Sequence, residues 1–450
     1  MNQGANRPGQ LDNVHKPLTV IQLPLQRVAT ENAKLRQNQV ISGAHEAYCR
    51  GQHRIAAMSS SGNRAKKEVR RFLLDRKVRL SAALKQMGGV SPDLSEALTL
   101  CDRINPWLRD DAPVVWHFKP KPKGGHRVIC KLPPKMKAVH RMLRDAIAAQ
   151  LPRDELLYGI PGSGRDDAAR ALKACQNAGF SCLAHVDIVD CFQRVNPDAL
   201  YELPLPKEVI HQQLDTRNIR FTGIPYGTLS NTSPLGSIWN ALNGFLHTTT
   251  HRPNGPTGLM QGSPASSAIL AWLLRDIPRS DDTVVLLCFD NIAVAGQTWM
   301  ATERALTAIA LHLARSPAGP FDLCAPTYSG SEPLEFLGYL FNSEREDIGI
   351  APGALRRMEL KLLAIEERHA TSLIRDPLFY YEIWSALLRF RAGFSAAQHD
   401  GSELNYLLET TLDTIAPYVP DSTLELHNLL FSPEGKRFRD VIERFIHNRR

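Results

Sequence analysis

The sequence has no long apolar run and no cysteine pattern typical of a metal site. No stretch reaches the roughly 18 apolar residues of a membrane-spanning helix. The first residues, MNQGANRPGQLDN, lack the apolar core of a secretory signal. The eight cysteines form no C-x-x-C pair and show no Cys/His ligand spacing. We therefore predict a cytoplasmic protein without a membrane partner, in which Cys182, Cys191 and Cys288, all in apolar runs, are buried reduced thiols.

Charge of one sign is in only modest excess, and internal repeats are absent. The 450 residues carry a net charge of +8, with 43% hydrophobic and 22% charged residues. This composition excludes a disordered, charge-rich chain and is typical of a globular protein of about two to four compact units. The positive excess is compatible with a polyanionic partner but does not identify one.

The N-terminal fifth is polar and then basic. Residues 1 to about 60 are rich in Gly, Asn and Gln, and we expect a partly ordered arm with short helices. The next stretch, RAKKEVRRFLLDRKVRLSAALKQM, predicts a basic helix with an apolar face. Its cations favour either a solvated face of a docked helix or a contact with a phosphate backbone, and both interpretations stay open.

Strand and helix patterns alternate along the rest of the chain. Residues 114–132 predict two strands joined by a basic turn, and VVLLCFDNIAVAG predicts two strands with a tight turn. Helical periodicity occurs at 135–151 and at about 300–315, and it dominates from about 352 onward. Residues 196–257 are rich in Pro, Asn, Gly and Thr and predict a long, loop-rich segment.

Two of the predicted strands end in carboxylates. Asp187 and Asp190 follow the apolar run in AHVDIVDCF, and Asp290 lies at the apex of the later hairpin, where Asp-Asn suits a turn with positive φ. If the strands are neighbours in one sheet, these carboxylates repel each other unless divalent cations lie between them, as two-metal phosphoryl transfer requires. Magnesium prefers carboxylate and phosphate oxygens. Taken singly, each aspartate is better explained as an ordinary turn or capping residue.

Short motifs follow one another between about 115 and 342: KPKGGHRVICKLP, YGIPGSGRDDAARAL, HVDIVDCFQRV, GLMQGSPASSAILAWLLRD, CFDN and LEFLGYLF. In this order they resemble the reverse transcriptase family. The corresponding family features are the fingers hairpin, the Tyr-Gly/Gly-Arg segment, the first two palm motifs, the aromatic-x-Asp-Asp hairpin and the strand after it. The resemblance is to bacterial members: retron, group II intron and defence-associated, abortive-infection-type enzymes.

The resemblance implies an α+β fold of the right-hand polymerase type, with fingers, a split βαβ palm and a helical thumb. It divides the chain into four parts. These are a basic, mostly helical extension at 1–100, fingers at 101–180, a palm at 181–350 with a fingers-like insertion at about 196–257, and a helical thumb or C-terminal region at 351–450.

The resemblance also assigns roles to individual residues. Asp187 and Asp290 would be catalytic and would hold two Mg²⁺ ions, with Mn²⁺ as an alternative, and the Ile188 carbonyl would complete a metal shell. The residues implied in nucleotide binding are the phosphate-clamping cations Lys121, Lys123 and Arg127, the triphosphate-contacting Asp190 and Cys191, the sugar-gating Phe192, and Gln261 and Gly262 beside the nucleotide and its template base.

Two departures from the family pattern leave roles open. Asn291 replaces the second hairpin aspartate, which puts the metal affinity in question, and FDLCAPTYSGSEP lacks the lysine that would protonate pyrophosphate. Arg165 and Asp166 occupy the Lys and Ser/Thr positions of a loop that approaches a P-loop, but no convincing strand precedes it. We therefore interpret Arg165 as a nucleic-acid or nucleotide contact.

The resemblance implies an RNA-directed DNA polymerase that serves bacterial anti-phage defence or a retroelement. Its partners would be an RNA template, nascent DNA and deoxynucleotides, with a noncoding RNA or a companion defence protein in addition. Two alternatives remain: an untemplated or protein-primed DNA polymerase of a defence system, and a catalytically inactive reverse-transcriptase-fold scaffold that binds nucleic acid, for which Asn291 argues. The oligomeric state does not follow from the sequence.

Overall fold

The computed structural model describes residues 19–87, 93–120, 126–152, 157–223, 251–252, 255–329, 332–342, 348–369 and 377–397, which form a mixed α+β structure. The α-helices are α1 Thr19–Ala57, α2 Gly62–Leu74, α3 Arg76–Met87, α4 Leu94–Arg103, α5 Pro134–Ala148, α6 Arg165–Asn177, α7 Cys191–Arg194, α8 Lys207–Gln213, α9 Ser266–Leu273, α10 Trp299–Ala314, α11 Pro352–His369 and α12 Pro377–Ala392. The strands are β1 Val114–Pro120, β2 His126–Lys131, β3 Leu157–Tyr158, β4 Cys182–Asp187, β5 Phe221–Gly223, β6 His251–Arg252, β7 Gly255–Pro256, β8 Thr283–Cys288, β9 Asn291–Gly296, β10 Thr327–Tyr328, β11 Leu334–Phe336, β12 Tyr339–Phe341 and β13 Ile348–Ile350.

The N-terminal arm differs from the expectation of short helices, because α1 is one helix of 39 residues. It docks through small side chains: Ala44 and Ala47 are buried, and a Cβ atom on Gly51 would lie 2.4 Å from the Phe72 ring of α2. The same face also buries Tyr48 and Ile55, and the Tyr48 ring meets the Phe72 ring edge to face with centroids 5.1 Å apart. Close approach of α1 to its neighbours therefore accompanies a short apolar stripe.

The basic stretch is broken into two helices rather than the single helix predicted. Asp75 leaves the helical conformation with φ −66° and ψ 120°. Its Oδ1 accepts hydrogen bonds from the backbone N–H of Lys77 at 2.8 Å and of Val78 at 3.4 Å. An aspartate in this position caps a new helix by satisfying the free N–H groups of its first turn. The predicted apolar face survives the break, since Val69, Phe72, Leu73, Val78 and Leu80 are all buried.

A five-stranded sheet with the strand order β10-β4-β9-β8-β3 forms the centre of the described chain. β9 pairs antiparallel with both β4 and β8, which confirms the predicted hairpin, and β3 pairs parallel with β8. Helix α9 lies between β4 and β8 in the chain, and α10 lies between β9 and β10. This succession is that of a split βαβ unit.

Both faces of this sheet are buried, because successive side chains of a strand point to opposite faces. One face packs against the N-terminal helices together with α9 and α10 and includes Ala184, Val186, Val285, Leu287, Ile292 and Val294. The other face packs against α6 and β11–β13 and includes Leu183, Leu286, Ala293 and Ala295. Few polar side chains of the central strands therefore lie between the strand ends, and His185 of β4 is one of them.

A smaller sheet joins the predicted basic hairpin to the segment that follows β4. β1 pairs antiparallel with β2, as predicted, and parallel with β5. The prediction of a loop-rich segment at 196–257 is therefore wrong for its first part, where residues 197–202 form a 3₁₀ helix, residues 207–213 form α8 and β5 completes the sheet. Residues 224–250 of that segment lie outside the described residues.

The remaining fold expectations have mixed outcomes. The predicted helices at 135–151, 300–315 and after 352 are confirmed as α5, α10, α11 and α12. All eight cysteines are free, and Cys191 and Cys288 are buried, but Cys182 is only partly buried. No helix in the described part of the chain combines the length and apolarity needed to cross a membrane.

The two glycines of α1 allow a test of how this helix docks. Gly51→Ala is expected to destabilise the protein by about 1–3 kcal/mol, because the new methyl group overlaps a buried ring. Gly43→Ala is the matched control, since no atom lies within 4 Å of its added Cβ, and better helix propensity should stabilise it by about 0.5–1 kcal/mol. Thermal unfolding of the two variants should shift the midpoint in opposite directions. Equal upward shifts would contradict the docking of α1 on Phe72.

Candidate active site

Two carboxylates that are distant in the sequence meet where β4 ends and the β8–β9 hairpin turns. Asp187, the last residue of β4, pairs directly with Asn291, the first residue of β9. The backbone N–H of Ile188 donates a hydrogen bond of 2.9 Å to the backbone carbonyl of Asp290. The ends of two neighbouring strands thus hold both aspartates at one edge of the sheet.

The hairpin turn differs in detail from the sequence interpretation. Cys288 pairs with Asn291, so Phe289 and Asp290 are the two central residues, and the positive φ of 59° falls on Phe289 rather than on the Asp-Asn pair. A bulky residue rarely adopts this conformation. The exposed Phe289 ring packs closely on Gly159, whose added Cβ would lie 2.8 Å from it. This contact holds the turn that presents Asp290.

The electrostatics of Asp290 reflect its position beside a second carboxylate. Burial raises the pKa of Asp290 above its ordinary value, and the nearby Asp187 raises it further. The residue's own N–H, the Arg127 guanidinium and a hydrogen bond from Asn291 act in the opposite direction. The carboxylate is therefore held at a cost in free energy that a divalent cation would relieve.

The oxygen atoms at this edge are suitable ligands for a magnesium ion that is also coordinated by a substrate. Among the described residues, no group of three or more His, Cys, Asp or Glu side chains could hold a metal ion. Asp187 and Asp290 supply two carboxylates, and the Ile188 carbonyl accepts no hydrogen bond within the described part of the chain. Magnesium sites at phosphates use one or two carboxylates and complete the shell with water and phosphate oxygens.

The predicted phosphate-clamping cations are only partly within the described residues. Lys121 and Lys123 lie outside them. Arg127 is exposed on β2, opposite Lys119, and its charge lowers the pKa of Asp290. Arg127 is therefore close enough to Asp290 to interact with it electrostatically.

The Gln-Gly loop adjoins both the basic hairpin and the start of α7. The backbone N–H of Cys130 on β2 donates to the Gln261 carbonyl at 2.7 Å, and a Cβ on Gly262, with φ +111°, would lie 2.4 Å from the Cys130 carbonyl. The backbone N–H of Leu259 donates to the Phe192 carbonyl at 2.6 Å. One continuous strip of backbone contacts thus connects three segments that the sequence assigned to nucleotide binding.

The residues after β4 join these backbone contacts by way of a left-handed residue. Asp190 is left-handed, with φ 46°, and precedes the four-residue helix α7. Burial raises the pKa of the Cys191 thiol well above its ordinary value, and Asp290 raises it further, so this side chain is neutral. Phe192 is partly buried against the core. Its assignment as a sugar gate stays a prediction.

Arg165 has contacts that its sequence context did not suggest. Its guanidinium lies 4.2 Å from the centre of the Phe394 ring, and the adjacent Asp166 accepts hydrogen bonds of 2.6 Å from both Tyr339 and Ser395. A short strand, β3, does precede the loop, contrary to expectation, but two residues are too few for a sequence signal. The loop and α6 thus anchor the chain after α12, and a nucleotide contact of Arg165 stays a prediction.

The basic stretch has both paired and unpaired cations. Arg71 Nη1 lies 3.9 Å from Glu68 Oε1, and Arg76 bonds Asp102 at 3.0 Å. The exposed Arg64, Lys66 and Lys67 form no ion pair with described residues. Both interpretations of this surface therefore remain open.

Sequence reasoning missed one residue of the site, His185. It precedes Asp187 by two positions, so both side chains point to the same face of β4. Its Nε2 atom lies 3.1 Å from Asn291 Oδ1 and 3.5 Å from Asp187 Oδ1. Strand alternation alone would have placed it beside the carboxylates.

Comparison with known proteins gives no family assignment. No protein-family model matches the chain, and no curated protein matches it. Among 154 matching chains of solved structures are two telomerases. The telomerase of Candida albicans with the TWJ fragment of telomeric RNA has 11% identity and a TM-score of 0.35, over 73% of this chain and 66% of that one. Apo telomerase of Candida tropicalis, truncated from its C-terminal domain, has 14% identity and a TM-score of 0.32, over 54% of this chain and 56% of that one.

The chain spans about two thirds and just over half of these two neighbours. Neither similarity bears on a bacterial retron, intron or defence subtype. Similarities of this size do not assign the chain to a family.

Replacing Asp290 by Asn should stabilise the metal-free protein at high pH. Because the pKa of Asp290 is raised in the folded state, its ionised form costs stability, and that cost grows as the pH rises through this pKa. Asp290→Asn should therefore unfold at a higher temperature than the unaltered protein at pH 8 in a chelator, with the advantage vanishing near pH 4. Asp281→Asn, at an exposed position, serves as the control and should leave the unfolding midpoint unaltered both at pH 8 and near pH 4. A pH-independent shift in Asp290→Asn would contradict the charge argument.

Proposed function

We propose that this chain is an RNA-directed DNA polymerase that adds deoxynucleotides by phosphoryl transfer. The observation that carries the proposal is the pairing of β4 with β9, which brings Asp187 and Asp290 to one sheet edge. Two carboxylates held together at a cost, beside an arginine and a hydrogen-bonded loop, have little use in a structural role. They suit a site for divalent cations and a triphosphate.

The proposed architecture follows from the sheets and the motif order. The five-stranded sheet with its split βαβ order would be the palm, and the β1-β2-β5 sheet would be the fingers. Helices α11 and α12, which follow β13, would begin the thumb. The anchoring of the chain after α12 by Asp166 would connect thumb and palm.

In the proposed reaction, a DNA 3′-hydroxyl attacks the α-phosphate of a deoxynucleotide, a phosphodiester bond forms and pyrophosphate leaves. Asp187 and Asp290, with the Ile188 carbonyl, would hold two Mg²⁺ ions, which when bound activate the attacking oxygen and stabilise the leaving group. Arg127 would offset the charge of the β- and γ-phosphates. Gln261 and Gly262 would orient the nucleotide against its template base, and the Phe192 ring would exclude a 2′-hydroxyl.

The catalytically inactive scaffold is the second candidate, and Asn291 is the observation that favours it. An amide in place of a carboxylate leaves the edge with less negative charge to bind divalent cations. A polymerase and a scaffold share the same fold, so only catalysis separates them. The bacterial defence or retroelement role, the RNA template and any companion RNA or protein rest on the sequence resemblance.

Primer extension tests the proposed activity. With Mg²⁺, deoxynucleotides and a primed heteropolymeric RNA, the protein should synthesise the complementary DNA. Asp187→Ala and Asp290→Ala should each lower the rate about a thousandfold or more, since metal coordination is worth several kcal/mol. Asp281→Ala, away from the site, should retain the rate.

The product also separates the alternatives. A homopolymer or a strand linked to protein would favour the untemplated or protein-primed polymerase. Absence of incorporation with every template and primer, from protein that unfolds cooperatively, would favour the inactive scaffold.

The sugar gate has its own test in Phe192→Ala. Loss of the ring should raise ribonucleotide incorporation relative to deoxyribonucleotide by about tenfold, equivalent to about 1.4 kcal/mol of discrimination. Phe180→Ala removes a similarly half-buried ring on the other core and should leave the ratio unchanged. An unaltered ratio in Phe192→Ala would mean that this ring belongs to the core alone.

A further inference from the structure

Three polar side chains at the carboxylate edge form a directional chain of hydrogen bonds. His185 Nε2 lies 3.1 Å from Asn291 Oδ1, and Asn291 Nδ2 donates to Asp290 Oδ1 at 3.1 Å. An amide oxygen and a carboxylate oxygen can only accept, so Nε2 carries the proton in the first bond and the amide nitrogen donates in the second. Reversing the Asn291 amide would place its oxygen against the Asp290 carboxylate oxygen, with no proton to bond the two acceptors. The chain therefore specifies one orientation of Asn291.

His185 is itself held from the opposite side. Its ring meets the Phe336 ring of β11 edge to face, with centroids 5.3 Å apart and planes at 69°. Its backbone pairs with Ala293 on β9 and with Thr327 on β10. The side chain is only 15% exposed. The imidazole is thus packed between a buried aromatic ring and the polar edge, which limits its movement.

This arrangement changes what Asn291 can contribute. Its oxygen is engaged by His185 and its nitrogen faces Asp290, so the amide is bonded on both sides. A side chain bonded in this way supports the neighbouring carboxylate and does not replace a missing carboxylate ligand. The hydrogen bond from Asn291 also stabilises the ionised form of Asp290, which burial and Asp187 disfavour.

We propose that His185 is a positioning residue, which orients Asn291 so that Asn291 fixes the Asp290 carboxylate for divalent-cation binding. The proposal rests on the proposed function, since it concerns the same two carboxylates. Removal of a group that hydrogen-bonds to a metal ligand without contacting the metal lowers the metal affinity about 10–100-fold. We place His185 in the lower part of this range, because it acts through Asn291.

The test is Mn²⁺ binding to the full-length protein without nucleic acid, measured by electron paramagnetic resonance. His185→Leu keeps the packing against Phe336 but removes the donor, and it should weaken Mn²⁺ binding about tenfold. His185→Gln places an amide N–H at about the reach of Nε2, and it should bind within about twofold of the unaltered protein. Equal weakening in both variants, or no weakening in His185→Leu, would overturn the proposal.

A second comparison covers the case in which a His185 variant does not fold. Asn291→Ala removes the middle residue of the hydrogen-bond chain and should weaken Mn²⁺ binding about as much as His185→Leu. The double variant should bind no more weakly than either single one, because residues in one network are not additive. Additive losses, or unaltered binding in Asn291→Ala, would show that His185 does not act through Asn291.

Failure of this proposal is distinguishable from failure of the proposed function. Asp290→Ala sets the baseline for binding that does not involve the carboxylate edge. An unaltered protein that binds Mn²⁺ no better than this baseline would remove the metal site and both proposals with it. If the unaltered protein binds Mn²⁺ above this baseline and His185→Leu binds it equally tightly, only the positioning role of His185 is removed.

Discussion

The antiparallel pairing of β4 with β9 is the interaction on which the rest of this molecule depends. Its register places Asp187 opposite Asn291, and one hydrogen bond beyond the ladder joins Ile188 to Asp290. A shift of one residue would turn every side chain of β4 to the other face and move Asp187 away from Asn291. The two packed faces of the sheet prevent that shift, since each requires its own apolar set.

The edge where the strands end contains two features that are locally unfavourable for folding. Two carboxylates lie together, one of them with a raised pKa, and the hairpin turns through a phenylalanine with positive φ. Such departures persist only where the surrounding structure enforces them, and they concentrate at functional sites. Here Gly159 supports the Phe289 ring, and the bond from Asn291 supports the Asp290 carboxylate. The fold therefore maintains an edge that would not arise from packing alone.

Separate segments reach this edge through backbone contacts in addition to apolar packing, since Met260 packs in one cluster with Cys130, and Leu259 lies in the same core as Cys191. The bond from Cys130 to Gln261 and the bond from Leu259 to Phe192 connect β2, the Gln-Gly loop and α7. Glycines at 258 and 262 allow these close approaches, because a Cβ atom at either would overlap a carbonyl oxygen. These main-chain bonds fix the positions of the three segments relative to one another.

The sequence by itself determined the two apolar strands with terminal carboxylates and the β8–β9 hairpin, because continuous apolar runs and turn residues are local signals, and its resemblance to a known family implied the α+β class. It also set the candidate residues, although Lys121 and Lys123 lie outside the described chain. Only the tertiary structure decided that Asp187 and Asp290 are neighbours, that α1 docks on Phe72, that Arg165 packs on Phe394, and that His185 bonds Asn291. Each of these depends on residues far apart in the chain. Their proximity is set by strand register and packing, which no local pattern records.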